Sequence, residues 1–294
     1  MTLNLPRVVC IGNFDGVHRG HQALLQAAAD ISPHVIALTF EPHPRELFRP
    51  NDPPFRINSP AQKNDLLRRF GAREIITMPF TWEFAALTAE EFVEKIIIKQ
   101  TKADHVVVGS DFHFGKDRAG NIALLQAYAD KGKFALTVLP LVGDKDKWSS
   151  TNVRGALHLG DMMLASEILG WDYAIQGEVV KGDQRGRTMG FPTANMKLDR
   201  LMPPAFGVYA SFVYLYGQRY MGATNIGIRP MFESALPLIE THIFDFDQDI
   251  YGQILSIQPV KRLRGEAKYE SLEALITQIG ADCKAARELL TSLA

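Results

Sequence analysis

The chain has 294 residues, 46% of them hydrophobic and 10% aromatic, with 32 Lys and Arg against 33 Asp and Glu, which excludes disordered, collagen-like and coiled-coil classes. At roughly 100–200 residues per domain the length predicts about two domains, each able to bury its own core. A net charge of −1 leaves no basic surplus for a nucleic-acid partner, so any anionic ligand must be held by local groups.

The apolar run around Val8 is too short for a signal-peptide core or a membrane span, so the chain is expected in the cytoplasm, without a membrane partner. Cys10 and Cys283 read as small buried hydrophobes, and there is no C-x-x-C spacing for zinc or redox work. Strands are predicted over 7–11, 35–40, 75–78 and 105–109, with helices over 20–30, 60–70 and 89–100 between them. That alternation predicts a doubly wound parallel sheet, with ligands beyond the carboxyl ends of its strands. A helix over 152–169 ends at Gly170, where the boundary between two domains, 1–170 and 171–294, is expected.

From Tyr173 onward the apolar period becomes two, in 207–216, 238–244 and 254–260, separated by Gly, Pro, Asp and Asn. This half reads as antiparallel. After Ser271, the residues Leu272, Leu275, Ile276, Ile279, Leu289 and Leu290 recur at helical spacing, predicting a closing helix over a small barrel. The fold class is therefore α/β followed by β.

The stretch Ile11-Gly-Asn-Phe-Asp-Gly-Val-His-Arg-Gly-His21 follows the first strand and runs into a helix. Glycines 12, 16 and 20 permit close backbone approach, and a helix N-terminus offers unpaired N–H groups to a phosphate. His18 and His21, at i and i+3, can present two imidazoles to one phosphate. Phe40-Glu-Pro-His-Pro44 and the stretch around Asp111 should end strands at the same sheet edge. Asp111 suits a ligand hydroxyl or Mg²⁺, and equally a turn residue capping its own backbone. Ser149-Ser-Thr-Asn-Val-Arg154 sets hydroxyls and a cation at a helix start, an arrangement for β- and γ-phosphates that is also a common cap.

In the second half, Gly177 to Asn195 joins a Gly-rich loop to Pro192-Thr193-Ala194-Asn195. In an extended segment Thr193 and Asn195 point the same way, toward Mg²⁺ and ATP oxygens; a self-capping turn is the alternative. Glu240 and His242 take one face of their predicted strand, Ile239 and Ile243 the other. Glu240 there suits a general base or a solvated exterior residue.

His18-Arg-Gly-His21 resembles the nucleotidylyltransferase signature, and the four stretches of the first half together resemble the adenylyltransferase half of the bacterial bifunctional riboflavin kinase/FAD synthetase family. The motifs Gly-Arg-Thr-Met-Gly-Phe-Pro-Thr-Ala-Asn and Ile-Glu-Thr-His-Ile-Phe, among others, are similar to the riboflavin kinase domain of that family. The resemblance implies a Rossmann-like nucleotidylyltransferase domain over 1–170 and a six-stranded antiparallel riboflavin kinase barrel over 171–294. It implies riboflavin, FMN and ATP as substrates, with Mg²⁺. His18 and His21 would stabilise the transition state at the α-phosphate of ATP, and Glu240 would be the base toward the riboflavin 5′-hydroxyl. Gly12, Phe14, Gly20, Ser150, Thr151, Arg154, Gly186, Thr193 and Asn195 would bind ATP or its phosphates, with Thr193 and Asn195 also holding Mg²⁺. Asp111, Arg262 and Arg264 would contact flavin. One departure is Asn225-Ile-Gly-Ile-Arg-Pro-Met231, where the family has Thr in place of Met231, which removes a hydroxyl beside the implied flavin pocket.

Overall fold

The computed structural model describes residues 5–140, 148–182, 185–198, 200–228 and 237–293; Met231 lies outside them. The chain divides into two compact units, Met1–Pro53 with Pro60–Ser150, and Pro54–Ser59 with Thr151–Ala294.

Continuous apolar runs, buried on both faces, are what parallel strands need. In the first unit β1 (Val8–Ile11) is buried throughout and lies between β2 (Val35–Glu41) and β4 (His105–Gly109). With β3 (Glu74–Pro79) and β5 (Ala135–Leu139) outside them, the order is β3-β2-β1-β4-β5, every pair parallel. The chain runs from β1 outward through β2 to β3 and then crosses back to β4 on the other side of β1, so the crevice at this switch point opens beyond the carboxyl ends of β1 and β4. The first helix, α1, spans Arg19–Ile31 and buries Leu24, Leu25 and Ala28.

Two helices differ from their prediction. The stretch over 89–100 starts as Ala89–Glu91 and continues as a π-helix, Phe92–Gln100. Val93, Ile96 and Ile97 are buried there, a spacing that suits either winding, so apolar period could not separate them. The helix expected over 152–169 is two, Ser150–Leu159 and Met162–Leu169, broken at Gly160 (φ 76°) and restarted by Asp161, whose Oδ1 accepts from Leu164 N at 2.9 Å. Gly170 ends the second one in the left-handed conformation, as its position predicted.

The second unit is a closed antiparallel barrel. β6 (Ile175–Val180), β7 (Ala194–Lys197), β8 (Gly207–Leu215), β9 (Gln218–Gly227), β10 (Leu238–Ile243) and β11 (Ile254–Arg264) close in the order β10-β7-β6-β11-β8-β9. Thr224 and Thr241 hydroxyls pair at 3.0 Å, both fully buried. On the opposite face of the strands, Ala210, Phe212 and Ala223 pack with Ala286 and Leu290 of the closing helix Leu272–Thr291. Leu272, expected on that helix's apolar face, is 57% exposed because it sits in the first turn, one residue after the cap Ser271.

Candidate active sites

The first site is built by the turn between β1 and α1. Phe14 (φ 52°), Gly16 (φ 86°) and Val17 (φ 38°) all have left-handed backbone, and Phe14 and Val17 are fully buried. For a β-branched residue such as Val17 this is an outlier, of the kind that costs of order 1–3 kcal/mol and collects at functional sites. The turn packs the Phe14 ring over Gly12, where an added Cβ would lie 3.3 Å from the ring, and sets it 5.1 Å from His21 at 65°.

His18 and His21 stack with ring centroids 3.7 Å apart and 25° between planes. His18 is the N-cap residue of α1, and its side chain makes no capping bond, unlike the Ser or Asp usual there. The helix end therefore brings its dipole to the histidine pair uncapped by it. Burial, then the neighbouring His18 and Lys63, hold His21 well below the ordinary imidazole range, so its ring is neutral at pH 7. Gly20 leaves room for the same packing: a Cβ there would lie 3.2 Å from the His18 ring and from the Trp148 carbonyl, closer than a relaxed contact. Ser150 Oγ donates to the Asp15 carbonyl at 2.8 Å, tying it to the turn.

Asp111 is exposed just past β4, across the switch point from the β1 turn. Thr151 and Arg154 belong to the second unit. Thr151 is exposed, whereas Arg154 Nε donates to the Phe55 carbonyl at 2.8 Å with its guanidinium 5.4 Å from the Phe55 ring.

Sequence reading missed an aromatic cluster at the same sheet edge. Phe40 is the next-to-last residue of β2, and after β3 come Phe80, Trp82 and Phe84; Phe40 and Phe48 each lie 5.9 Å from Phe80, and Phe48 lies 5.6 Å from Trp82. Phe48 and Trp82 are 54% and 61% exposed, so this end of the cluster presents aromatic surface to solvent. The alternation Phe80-x-Trp82-x-Phe84 beyond a strand was the available signal.

The second site lies on the outer face of the barrel. Glu240 in β10 is directly opposite Asn195 of β7 on one side and Asn225 of β9 on the other, so three amide or carboxylate side chains share one row of the sheet. Asn225 was not singled out as a site residue, because its place beside Glu240 follows from strand register. Asn195 is 5% exposed and its Nδ2 donates to the Thr193 carbonyl at 3.1 Å. The segment before β7 folds over the same face: His242 donates through Nδ1–H to the Pro192 carbonyl at 2.8 Å, and its ring lies 5.5 Å from that of Phe191.

Two glycines complete this cradle. A Cβ on Gly182 would fall 2.5 Å from the Asn195 amide oxygen, and one on Gly186 would collide with the Phe191 carbonyl and approach Thr193 Oγ1 to 3.4 Å. A hydroxyl and an amide oxygen facing a backbone kept bare of side chains are hard oxygen donors suited to a divalent cation completed by phosphate and water. Arg262 and Arg264 take other partners: Arg262 Nη2 donates to the Phe206 carbonyl at 2.5 Å, and Arg264 forks onto Asp282 of the closing helix at 2.7–3.0 Å.

A family model described as FAD synthetase matches residues 2–152, and one described as riboflavin kinase matches residues 169–290. The chain is 39% identical over 287 residues to the bifunctional riboflavin kinase/FMN adenylyltransferase of Escherichia coli K12, covering 96% of this chain and 92% of the relative. Its identity to the Bacillus subtilis 168 protein of the same description is 36% over 297 residues, covering 97% and 93%. The crystal structure of a Streptococcus pneumoniae protein, described as a macrolide-efflux protein, superposes with a TM-score of 0.84 at 35% identity, covering 98% of this chain and 95% of that one. Among the described residues no helix is long and apolar enough to cross a membrane.

Proposed function

The chain belongs to the bifunctional riboflavin kinase/FMN adenylyltransferase family, and from that premise we propose how its two reactions, riboflavin to FMN and FMN to FAD, are divided between the two sites. Residues 1–170 carry adenylyl transfer and residues 171–294 carry phosphorylation. This is a division of activities; the compact units themselves part at Ser150.

In the first reaction, the 5′-hydroxyl of riboflavin attacks the γ-phosphorus of ATP, the β–γ bridge breaks and ADP leaves. Glu240 accepts the hydroxyl proton, and the asparagines on either side hold its carboxylate in line. Thr193 and Asn195 hold Mg²⁺ and the ATP phosphates, while Gly182 and Gly186 let the backbone come close. Mg²⁺, when bound, neutralises charge on the phosphates being separated. Arg262 and Arg264 border the flavin through the β11 end they occupy.

In the second reaction an FMN phosphate oxygen attacks the α-phosphorus of ATP, and pyrophosphate leaves. The stacked His18 and His21 and the N-terminus of α1 meet the charge that grows on the α-phosphate. A neutral His21 donates through one ring N–H and takes up no second proton near pH 7. Gly12, Phe14 and Gly20 shape this cradle, Ser150 takes the distal phosphates, and Asp111 contacts the flavin nucleotide; Thr151 and Arg154 are further candidates for binding ATP phosphates. The exposed aromatic surface of Phe48 and Trp82 accepts the isoalloxazine ring. We infer a cytoplasmic site of action, where ATP is at hand and Cys10 and Cys283 remain thiols.

The observation that carries this reading is the His18–His21 stack at the N-terminus of a helix leaving the central strand. Its test is a chromatographic time course of riboflavin, FMN and FAD with ATP and Mg²⁺. His21→Ala should cut FAD formation about 10²-fold or more and spare FMN formation. Equal loss of both activities in a folded His21→Ala protein would overturn the division.

A further inference from the structure

Lys63, in the helix Pro60–Arg69, carries an ammonium that the chemistry above does not use, and its side chain is only 2% exposed. Its Nζ meets Glu41 Oε1 at 2.6 Å, Thr39 Oγ1 at 3.1 Å and the Phe40 carbonyl at 3.4 Å. An ammonium carries only N–H donors, and each of these three oxygens at the end of β2 accepts from it. A buried ion pair is also a weak source of stability, since apolar replacements of equal volume are often neutral or better.

What the ammonium does dictate is the direction of a hydroxyl. It can only donate, so Thr39 Oγ1 must accept from it, and the Thr39 proton goes to the Asn13 carbonyl at 3.2 Å. A trans peptide has its C=O and N–H antiparallel. With the Asn13 carbonyl held toward Thr39, the Phe14 N–H is turned the opposite way, and Phe14 enters its left-handed conformation with its ring against His21.

We propose that Lys63 is a positioning residue for adenylyl transfer, acting through the Thr39 hydroxyl to hold the Asn13–Phe14 peptide of the turn that carries the histidine pair. This rests on the assignment of His18 and His21 to the α-phosphate of ATP. The positive charge of Lys63 also adds to burial and His18 in lowering the His21 pKa, consistent with an ammonium placed close behind the site.

The test uses the full chain. Thr39→Val removes the relay but keeps shape and the Lys63–Glu41 pair, so it tests the proposal even if Lys63→Met misfolds. Thr39→Val should lower kcat for FAD formation from FMN by about tenfold to a hundredfold, as expected of a small misplacement, with KM for ATP within about threefold. Riboflavin phosphorylation in the same preparation should be unchanged, and Thr39→Ser should restore most of the rate. Lys63→Met should match Thr39→Val, and the double variant should be no slower than the slower single, because both remove one relay. A Thr39→Val kcat within about twofold of the parent, or single losses that multiply in the double variant, would overturn the proposal. FAD formation surviving in His21→Ala would instead overturn the underlying site assignment, a result separable from all of these.

Discussion

Glu240 lies directly opposite Asn195 across the β7–β10 pairing, on the barrel face away from the Thr224–Thr241 hydroxyl pair. This placement joins the carboxylate proposed as base to the amide proposed as cation ligand without any loop between them. Because both sit on paired strands, their separation is set by the sheet, which is more rigid than a loop-borne site.

Glu240→Gln keeps size and hydrogen bonding but cannot take a proton. FMN formation should fall about 10²- to 10⁴-fold, with KM for riboflavin little changed, while supplied FMN still becomes FAD. Asn225→Ala, on the other side of Glu240, should cost less, about tenfold in kcat, because it loosens the carboxylate without removing it. Steady-state kinetics on each half-reaction check both; a Glu240→Gln enzyme with near-parental FMN formation would remove the residue from the base role.

His21 is held neutral by burial first and by His18 and Lys63 after it. Its folded pKa lies below the unfolded value of about 6.5, so between those two values the unfolded chain binds the extra proton. The contribution to stability is full above about pH 6.5 and is lost as pH falls toward the folded pKa. The His21 ring resonance, identified by its loss in His21→Gln, should accordingly show no titration step from pH 8 to pH 6. A midpoint near pH 6.5 would mean that the ring is solvated and open.

Features carried by neighbouring residues were legible in the sequence. The turn from β1 into α1, the His18–His21 spacing and the Pro192–Asn195 run each depend on residues within one short segment, and the alternation over 238–244 correctly placed Glu240 and His242 opposite Ile239 and Ile243. What escaped depends on contacts across the chain. The relay from Lys63 through Thr39 to Asn13 spans 24 and then 26 residues, and Asn225 meets Glu240 only through strand register. The π-winding of Phe92–Gln100 escaped because its buried positions also satisfy an α-helix, and the break at Gly160 because the apolar spacing resumes on its far side.

Gly20→Ala adds one carbon at 3.2 Å from both the His18 ring and the Trp148 carbonyl. That is tighter than a relaxed contact, and the ring is the more mobile neighbour, so the histidine stack should shift by a few tenths of an ångström. FAD formation should drop about tenfold, mostly in kcat, while FMN formation in the barrel is untouched. Comparing the two half-reactions in one preparation measures this, and equal decline in both would point to misfolding in place of a displaced ring.

Arg264 serves two proposals that one pair of variants can separate. Its guanidinium grips Asp282, whose side chain is 8% exposed, and so ties β11 to the closing helix; that hydrogen bond raises the guanidinium pKa further. Arg264→Met leaves the carboxylate with the Gln278 amide in place of its cation and should destabilise the barrel by about 1–3 kcal/mol, whereas Arg264→Met with Asp282→Leu replaces the whole pair by apolar side chains and should recover most of that loss. Thermal unfolding of the two variants reads the structural role. Riboflavin phosphorylation by the recovered double variant then reads the other: a raised KM for riboflavin in a stable barrel is the outcome expected if Arg264 also borders the flavin, and an unchanged KM would confine it to holding the helix.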